Sequence, residues 1–219
     1  MNKTAIILGA TGLTGNFVLK YLLENEAYER VIIFNRKHVG FTHPKLEEHL
    51  IDVLRLEHQK EQFIADEVYC CIGTTRKKTP DKATYRKIDY GIPVSAARLC
   101  YENKIPTFLI ISALGATAQS KIFYSRLKGE MEDAVRLYHI PKTHFLRPAL
   151  IAGKRKEKRA GEWFFKQLMK IMNFIMVGPL DKYKSITPEY IAKAMIWLAN
   201  HDHEHAVVKS DEIRKIAQL

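Results

Sequence analysis

Apolar positions along the chain fall into two alternating rhythms. Runs of strand length occupy 5–8, 31–35, 48–52, 68–72, 107–112 and 143–147. Between them lie longer stretches of helical pattern near 13–25, 81–101 and 121–138. Thr79-Pro80 and Thr187-Pro188 each read as an N-cap followed by proline at the first helical position. Strand–helix alternation predicts an α/β fold, a doubly wound parallel sheet with helices on both faces. Right-handed crossovers put every strand's C-terminal end on one edge, and ligands of open α/β sheets bind along that edge. The chemistry is therefore sought just after each strand.

Composition narrows this picture. A chain of 219 residues suits one domain, and a hydrophobic fraction of 47% supplies its core. We read 1–219 as a single domain whose last part, from about 149, covers the substrate side. The N-terminal apolar stretch is interrupted at Gly9 and is too short for a signal peptide. No unbroken apolar run reaches the roughly 20 residues of a membrane span. Cys70, Cys71 and Cys100 lack metal-ligand spacing and read as reduced core thiols, which predicts a cytosolic protein. His201, His203 and His205 alternate and could bind a metal, but read more simply as a solvated tail segment. The net charge of +11 suits polyanions in general. No nucleic-acid module is visible and the basic residues are dispersed, so a phosphorylated small molecule is expected rather than a specific nucleic acid.

The first strand runs into Gly9-Ala10-Thr11-Gly12-Leu13-Thr14-Gly15, and a helix follows. Glycines there permit a tight turn and a close approach of backbone to a pyrophosphate. The helix N-terminus adds free N–H groups and partial positive charge. Strand, turn and helix are the context this motif requires. At the end of the second strand an acid would accept hydrogen bonds from a ribose 2′-hydroxyl and favour NAD. Here the strand ends in Asn35-Arg36-Lys37. An arginine fork suits a 2′-phosphate, so NADP(H) is preferred, with NAD(H) left open.

Tyr124 and Lys128 stand four apart on a predicted helix and so share a face. Ser112 ends a strand twelve residues before Tyr124. A tyrosine hydroxyl titrates near 10, too high for acid–base work near neutrality, and a lysine cation beside it favours the tyrosinate. The same ammonium can hydrogen-bond a nicotinamide ribose, and a serine hydroxyl can hold a substrate oxygen. The spacing recurs at Tyr138 and Lys142. That pair spans Pro141, which a continuous helix would not tolerate, and it is rejected.

The G-x-x-G-x-x-G spacing of the turn resembles the extended and atypical short-chain dehydrogenase/reductase superfamily. Cys71-Ile72-Gly73-Thr74-Thr75-Arg76, Ser112, Tyr124-x-x-x-Lys128 and Arg147-Pro148 follow in the expected order. The first and last of these look closest to the Tat-interacting-protein-like oxidoreductase subgroup. The resemblance covers most of residues 4–200. It implies a Rossmann-like fold and catalytic roles for Ser112, Tyr124 and Lys128. It also implies that Asp52 meets the adenine amino group and that Gly73 and Thr74 pass the cofactor's inner ribose.

The last third carries a basic run at 154–159 and an aromatic, methionine-rich helical pattern at 163–176. That helix reads as core, as a substrate lid, as a subunit interface or as a membrane-leaning face. We expect 154–180 to be the most mobile large element without ligand. The expected activity is NADPH-dependent reduction of a small carbonyl compound, or oxidation of the alcohol. The rival reading is a redox-sensing regulator that binds NADP(H) and acts through a protein partner. Homodimerisation is left open.

Overall fold

The computed structural model describes residues 2–152 and 184–219. The basic run and the aromatic helical pattern expected within 154–180 lie outside the described residues.

Seven strands form one sheet in the order β3-β2-β1-β4-β5-β6-β7. They are β1 (Lys3–Leu8), β2 (Tyr28–Asn35), β3 (Leu46–Leu50), β4 (Glu67–Cys70), β5 (Thr107–Ile111), β6 (Lys142–Arg147) and β7 (Val207–Lys209). Every neighbouring pair is parallel. The helices are α1 (Leu13–Glu24), α2 (Lys82–Arg86), α3 (Ile92–Glu102), α4 (Phe123–Arg136), α5 (Pro188–Asn200) and α6 (Ser210–Ile216).

The apolar strand runs arise because both faces of the sheet are covered. Alternate residues feed two separate cores. Ala5, Ile7, Val31 and Ile33 pack on one face with α1 and α5 through Val18, Leu22, Ile191 and Met195. Ile6, Leu8, Ile32 and Phe34 pack on the other with Leu99 of α3 and Met131 and Val135 of α4. The order of strands reverses between β1 and β4, so the turns after these two strands flank the crevice where such sheets bind ligands.

Three sequence expectations shift. The third strand is Leu46–Leu50 rather than 48–52, because the ladder sets Val31 opposite Leu46 and Asn35 opposite Leu50. The helix expected to begin at Thr79-Pro80 is capped instead by Asp81, whose carboxylate accepts the Thr84 N–H at 2.7 Å. Thr187-Pro188 does start a helix as expected, with the Thr187 hydroxyl accepting the Tyr190 N–H. The helical stretch at 81–101 is not regular. It widens into a π-turn at Lys87–Gly91, where the Ile92 N–H reaches Lys87 O. Pro93 explains the widening, since it has no N–H to give and its ring crowds the carbonyl four residues back.

The histidine segment at 201–205 is mostly exposed, as expected, but it is a connection within the sheet and not a tail. It leads into β7, a strand too short to register as an apolar run. Trp197 stacks on His201 at 4.4 Å, and His203 lies against the rings of His144 and Trp197. Among the described residues no group of three or more His, Cys, Asp or Glu is placed to hold a metal. All three cysteines are free thiols, and burial pushes each upward in pKa. Among the described residues no helix is long and apolar enough to cross a membrane.

Candidate functional site

The turn after β1 is built around two close approaches. Gly9 has φ +84, and its carbonyl accepts the Gly12 N–H at 2.9 Å. A Cβ on Gly15 would stand 2.1 Å from that carbonyl oxygen, so only glycine lets α1 start directly against the turn. Gly12 is the N-cap of α1 and offers no side chain, while the first turn of the helix carries no acid. Thr11 and Gly12 are exposed, Leu13 is half-buried and Thr14 is buried. The result is a bare helix N-terminus with its positive end uncompensated, open to an anion. These residues fit a dinucleotide pyrophosphate.

At the end of β2, Asn35 is buried and its Nδ2 has no hydrogen-bond partner of good geometry. Arg36 and Lys37 follow, both exposed. Two exposed cations at this strand end fit the sugar–phosphate end of an adenosine. Asp52 is exposed and caps the 3₁₀ turn Val53–Gln59 by accepting the Leu54 N–H at 3.1 Å.

The turn after β4 meets the predicted tyrosine–lysine helix through a residue the sequence reading did not single out. Asp89, in the π-turn, is buried. Its Oδ2 accepts the Thr74 N–H at 2.8 Å, and its Oδ1 lies 3.2 Å from Lys128 Nζ. Lys128 is itself only 2% exposed and also donates to Ile111 O at 3.3 Å. Burial works against its charge. Asp89, and after it Tyr124, outweigh that penalty and hold the ammonium above the ordinary lysine range. Gly73 lies beside Asp89, where a Cβ would meet Oδ1 at 3.6 Å. Thr74 is braced further by its hydroxyl contact with Thr79 and by the Tyr85 hydroxyl on its carbonyl. Tyr124, one turn before Lys128, remains 40% exposed. Gly129 lets α4 press onto the loop after β5, since a Cβ there would lie 2.2 Å from Thr117 C. Pro93 marks the distortion of this turn, but nothing in the sequence marks Asp89 itself.

Ser112 stands where expected, directly after β5, with its N–H donating to Leu146 O at 2.7 Å. Its hydroxyl is buried and donates to Glu132 Oε1 at 2.5 Å. Glu132 in turn receives Arg147 through two bonds, at 2.9 and 2.6 Å, and Arg136 at 3.1 Å. That clamp holds the Arg147 guanidinium above its ordinary pKa. Among the described residues the structure does not join Ser112 to Tyr124 by a hydrogen bond. Ser112 belongs to a network that ties the ends of β5 and β6 to α4. Glu132 and the partner role of Arg147 escaped the sequence reading because nothing in spacing reveals a bond between α4 and two strand ends.

The discarded pair is indeed not on one helix face. Tyr138 follows the end of α4, and Lys142 opens β6, with Nζ donating to Ala199 O and His201 O.

A model of the NAD dependent epimerase/dehydratase family matches residues 5–203. The chain is 29% identical over 233 residues to "Protein FMP52, mitochondrial" of Meyerozyma guilliermondii, covering 98% of this chain and 95% of that one. It is 30% identical over 166 residues to "Protein HTATIP2" of Rattus norvegicus, covering 74% and 68%. Among solved structures it resembles UDP-glucuronic acid 4-epimerase from Bacillus cereus in complex with NAD, with TM-score 0.61, 18% identity, and 90% and 73% of the chains covered. Further fungal relatives are also named mitochondrial. These names overturn the cytosolic expectation. Its grounds were reduced thiols and the lack of an apolar leader.

Proposed function

Because the chain belongs to the NAD dependent epimerase/dehydratase family, we propose that it is an NADP(H)-dependent oxidoreductase that reduces a small carbonyl compound or oxidises the corresponding alcohol. The observation that carries this reading is the buried Lys128 ammonium. It is held charged by Asp89 beside Tyr124, at the strand edge that also carries the glycine turn.

The bound nicotinamide supplies the hydride chemistry. The protein binds, orients and moves a proton. The Gly9–Gly15 turn and the α1 N-terminus hold the pyrophosphate. Arg36 and Lys37 take the 2′-phosphate, with Asn35 beside them, and Asp52 keeps one oxygen for the adenine. Gly73 and Thr74 border the inner ribose, which Lys128 hydrogen-bonds. Tyr124 exchanges a proton at the substrate oxygen. Ser112 gives its proton to Glu132 here, so to hold a substrate carbonyl oxygen its hydroxyl would have to turn away from that carboxylate.

Calorimetry with NADPH and NADH tests the cofactor assignment, and equal affinities or an NADH preference would sink it. In turnover assays over a panel of small carbonyl compounds, Tyr124→Phe should lose about a hundred- to ten-thousandfold in rate while still binding cofactor. Tight NADPH binding with no turnover anywhere in the panel would favour a redox-sensing regulator instead.

A further inference from the structure

We propose that Glu48, on β3, is a positioning residue that sets the choice of cofactor by fixing the loop that carries Arg36 and Lys37. The inference rests on the NADP(H) reading above and adds a residue outside the expected site.

The loop is pinned at both ends. On one side Asn35 closes β2, and its carbonyl accepts the Ile51 N–H at 2.8 Å. On the other, Glu48 reaches across from the neighbouring strand. Its Oε1 accepts the Val39 N–H at 2.8 Å, and its Oε2 lies 2.6 Å from His38 Nδ1. The Val39 side chain packs against the core on the α1 face. Gly40 then turns the chain with φ +87. Only two residues, Arg36 and Lys37, span the gap between these fixed points. Both are exposed, and among the described residues neither forms an ion pair.

The charge of Glu48 is already spoken for. Its side chain is only 15% exposed. Burial alone would raise its carboxyl, but His38, the Val39 N–H and the Asn35 amide outweigh that and hold it below the usual carboxylate range. An ionised Glu48 paired in this way opposes a nearby phosphate little. What it does instead is geometric. A loop ordered in advance spares the binding step the cost of ordering two long side chains. That gain falls on the ligand that carries the 2′-phosphate and not on one that lacks it.

The test uses the full chain as wild type, Glu48→Ala and Glu48→Gln. Each is titrated calorimetrically with NADPH and with NADH, and the Val39 amide is followed by hydrogen exchange. Glu48→Ala should weaken NADPH about tenfold and leave NADH unchanged. Glu48→Gln keeps an acceptor for the Val39 N–H and should fall between. A Glu48→Gln protein that binds NADPH more tightly than wild type would overturn the proposal, because Glu48 would then act as a repelling charge. Equal losses for both cofactors would overturn it too. A wild type without NADPH preference would fail the cofactor reading, not the clamp. The clamp is then judged by the Val39 amide alone, which exchanges faster in Glu48→Ala if the clamp exists and at the wild-type rate if it does not.

Discussion

Lys128 Nζ stands 3.2 Å from Asp89 Oδ1, and the second oxygen of the same carboxylate accepts the Thr74 N–H. One buried acid thus joins the proposed proton-transfer helix to the turn expected at the cofactor's inner ribose. Asp89→Ala leaves a buried ammonium unpaired and should cost about 3–5 kcal/mol of stability. Replacing both partners by apolar residues, Asp89→Leu with Lys128→Met, should recover much of that stability, because the desolvation cost disappears with the charges. It should not recover NADPH binding. Urea unfolding and cofactor titration of the single and double variants check this. A double variant that binds cofactor as well as wild type would show that the pair serves only the fold.

The glycine turn separates two consequences of adding a side chain. At Gly15 a Cβ would stand 2.1 Å from Gly9 O and 2.7 Å from Gly9 C, both backbone atoms that cannot swing aside. Gly15→Ala should therefore push α1 off the strand and cost about 3 kcal/mol or more. At Gly12 the nearest atom is Gly9 O at 3.1 Å, which a small adjustment relieves. Gly12→Val should fold with little loss in thermal stability, yet abolish cofactor binding by filling the space the pyrophosphate needs. Melting curves and NADPH fluorescence titrations distinguish the two. A Gly15→Ala protein that melts like wild type would contradict the packing argument.

What the sequence disclosed follows from which interactions are local. Strands β1, β2, β4 and β5 are largely buried on both faces, so their apolar runs stand out and place β1 and the glycine turn correctly, whereas the edge strand β3 is half-buried and its bounds were misplaced. Tyr124 and Lys128 share a face through helical spacing alone. Asp89 and Glu132 were invisible because each acquires its role only when distant elements meet: the π-turn with α4 in one case, α4 with the ends of β5 and β6 in the other. The same holds at the opposite edge of the sheet. There Glu67 is buried among the Tyr28 and Tyr69 hydroxyls and Lys3, and Asn200 at the end of α5 closes the group. β7 escaped because three residues on an edge, one of them Lys209, make no pattern.

The β6–β7 edge should weaken in acid, and His144 is the group responsible. It is buried at that edge with Nδ1 3.1 Å from His205 O. Burial is the main cause that holds its pKa below the ordinary 6.5, with His203 and Lys142 adding to it, while the His205 carbonyl and Glu212 oppose. The folded protein therefore takes up this proton less readily than the unfolded chain. The stability due to the neutral ring is complete above about pH 6.5 and is lost as pH falls below that value towards the lower folded pKa. Urea midpoints measured between pH 8 and pH 5 should fall on the acid side. His144→Gln can still donate to the His205 carbonyl but cannot titrate. Its midpoints should decline less steeply than those of wild type over the same range, with neutral-pH stability changed far less. Parallel declines in the two proteins would assign the acid sensitivity to other groups and remove His144 from this account.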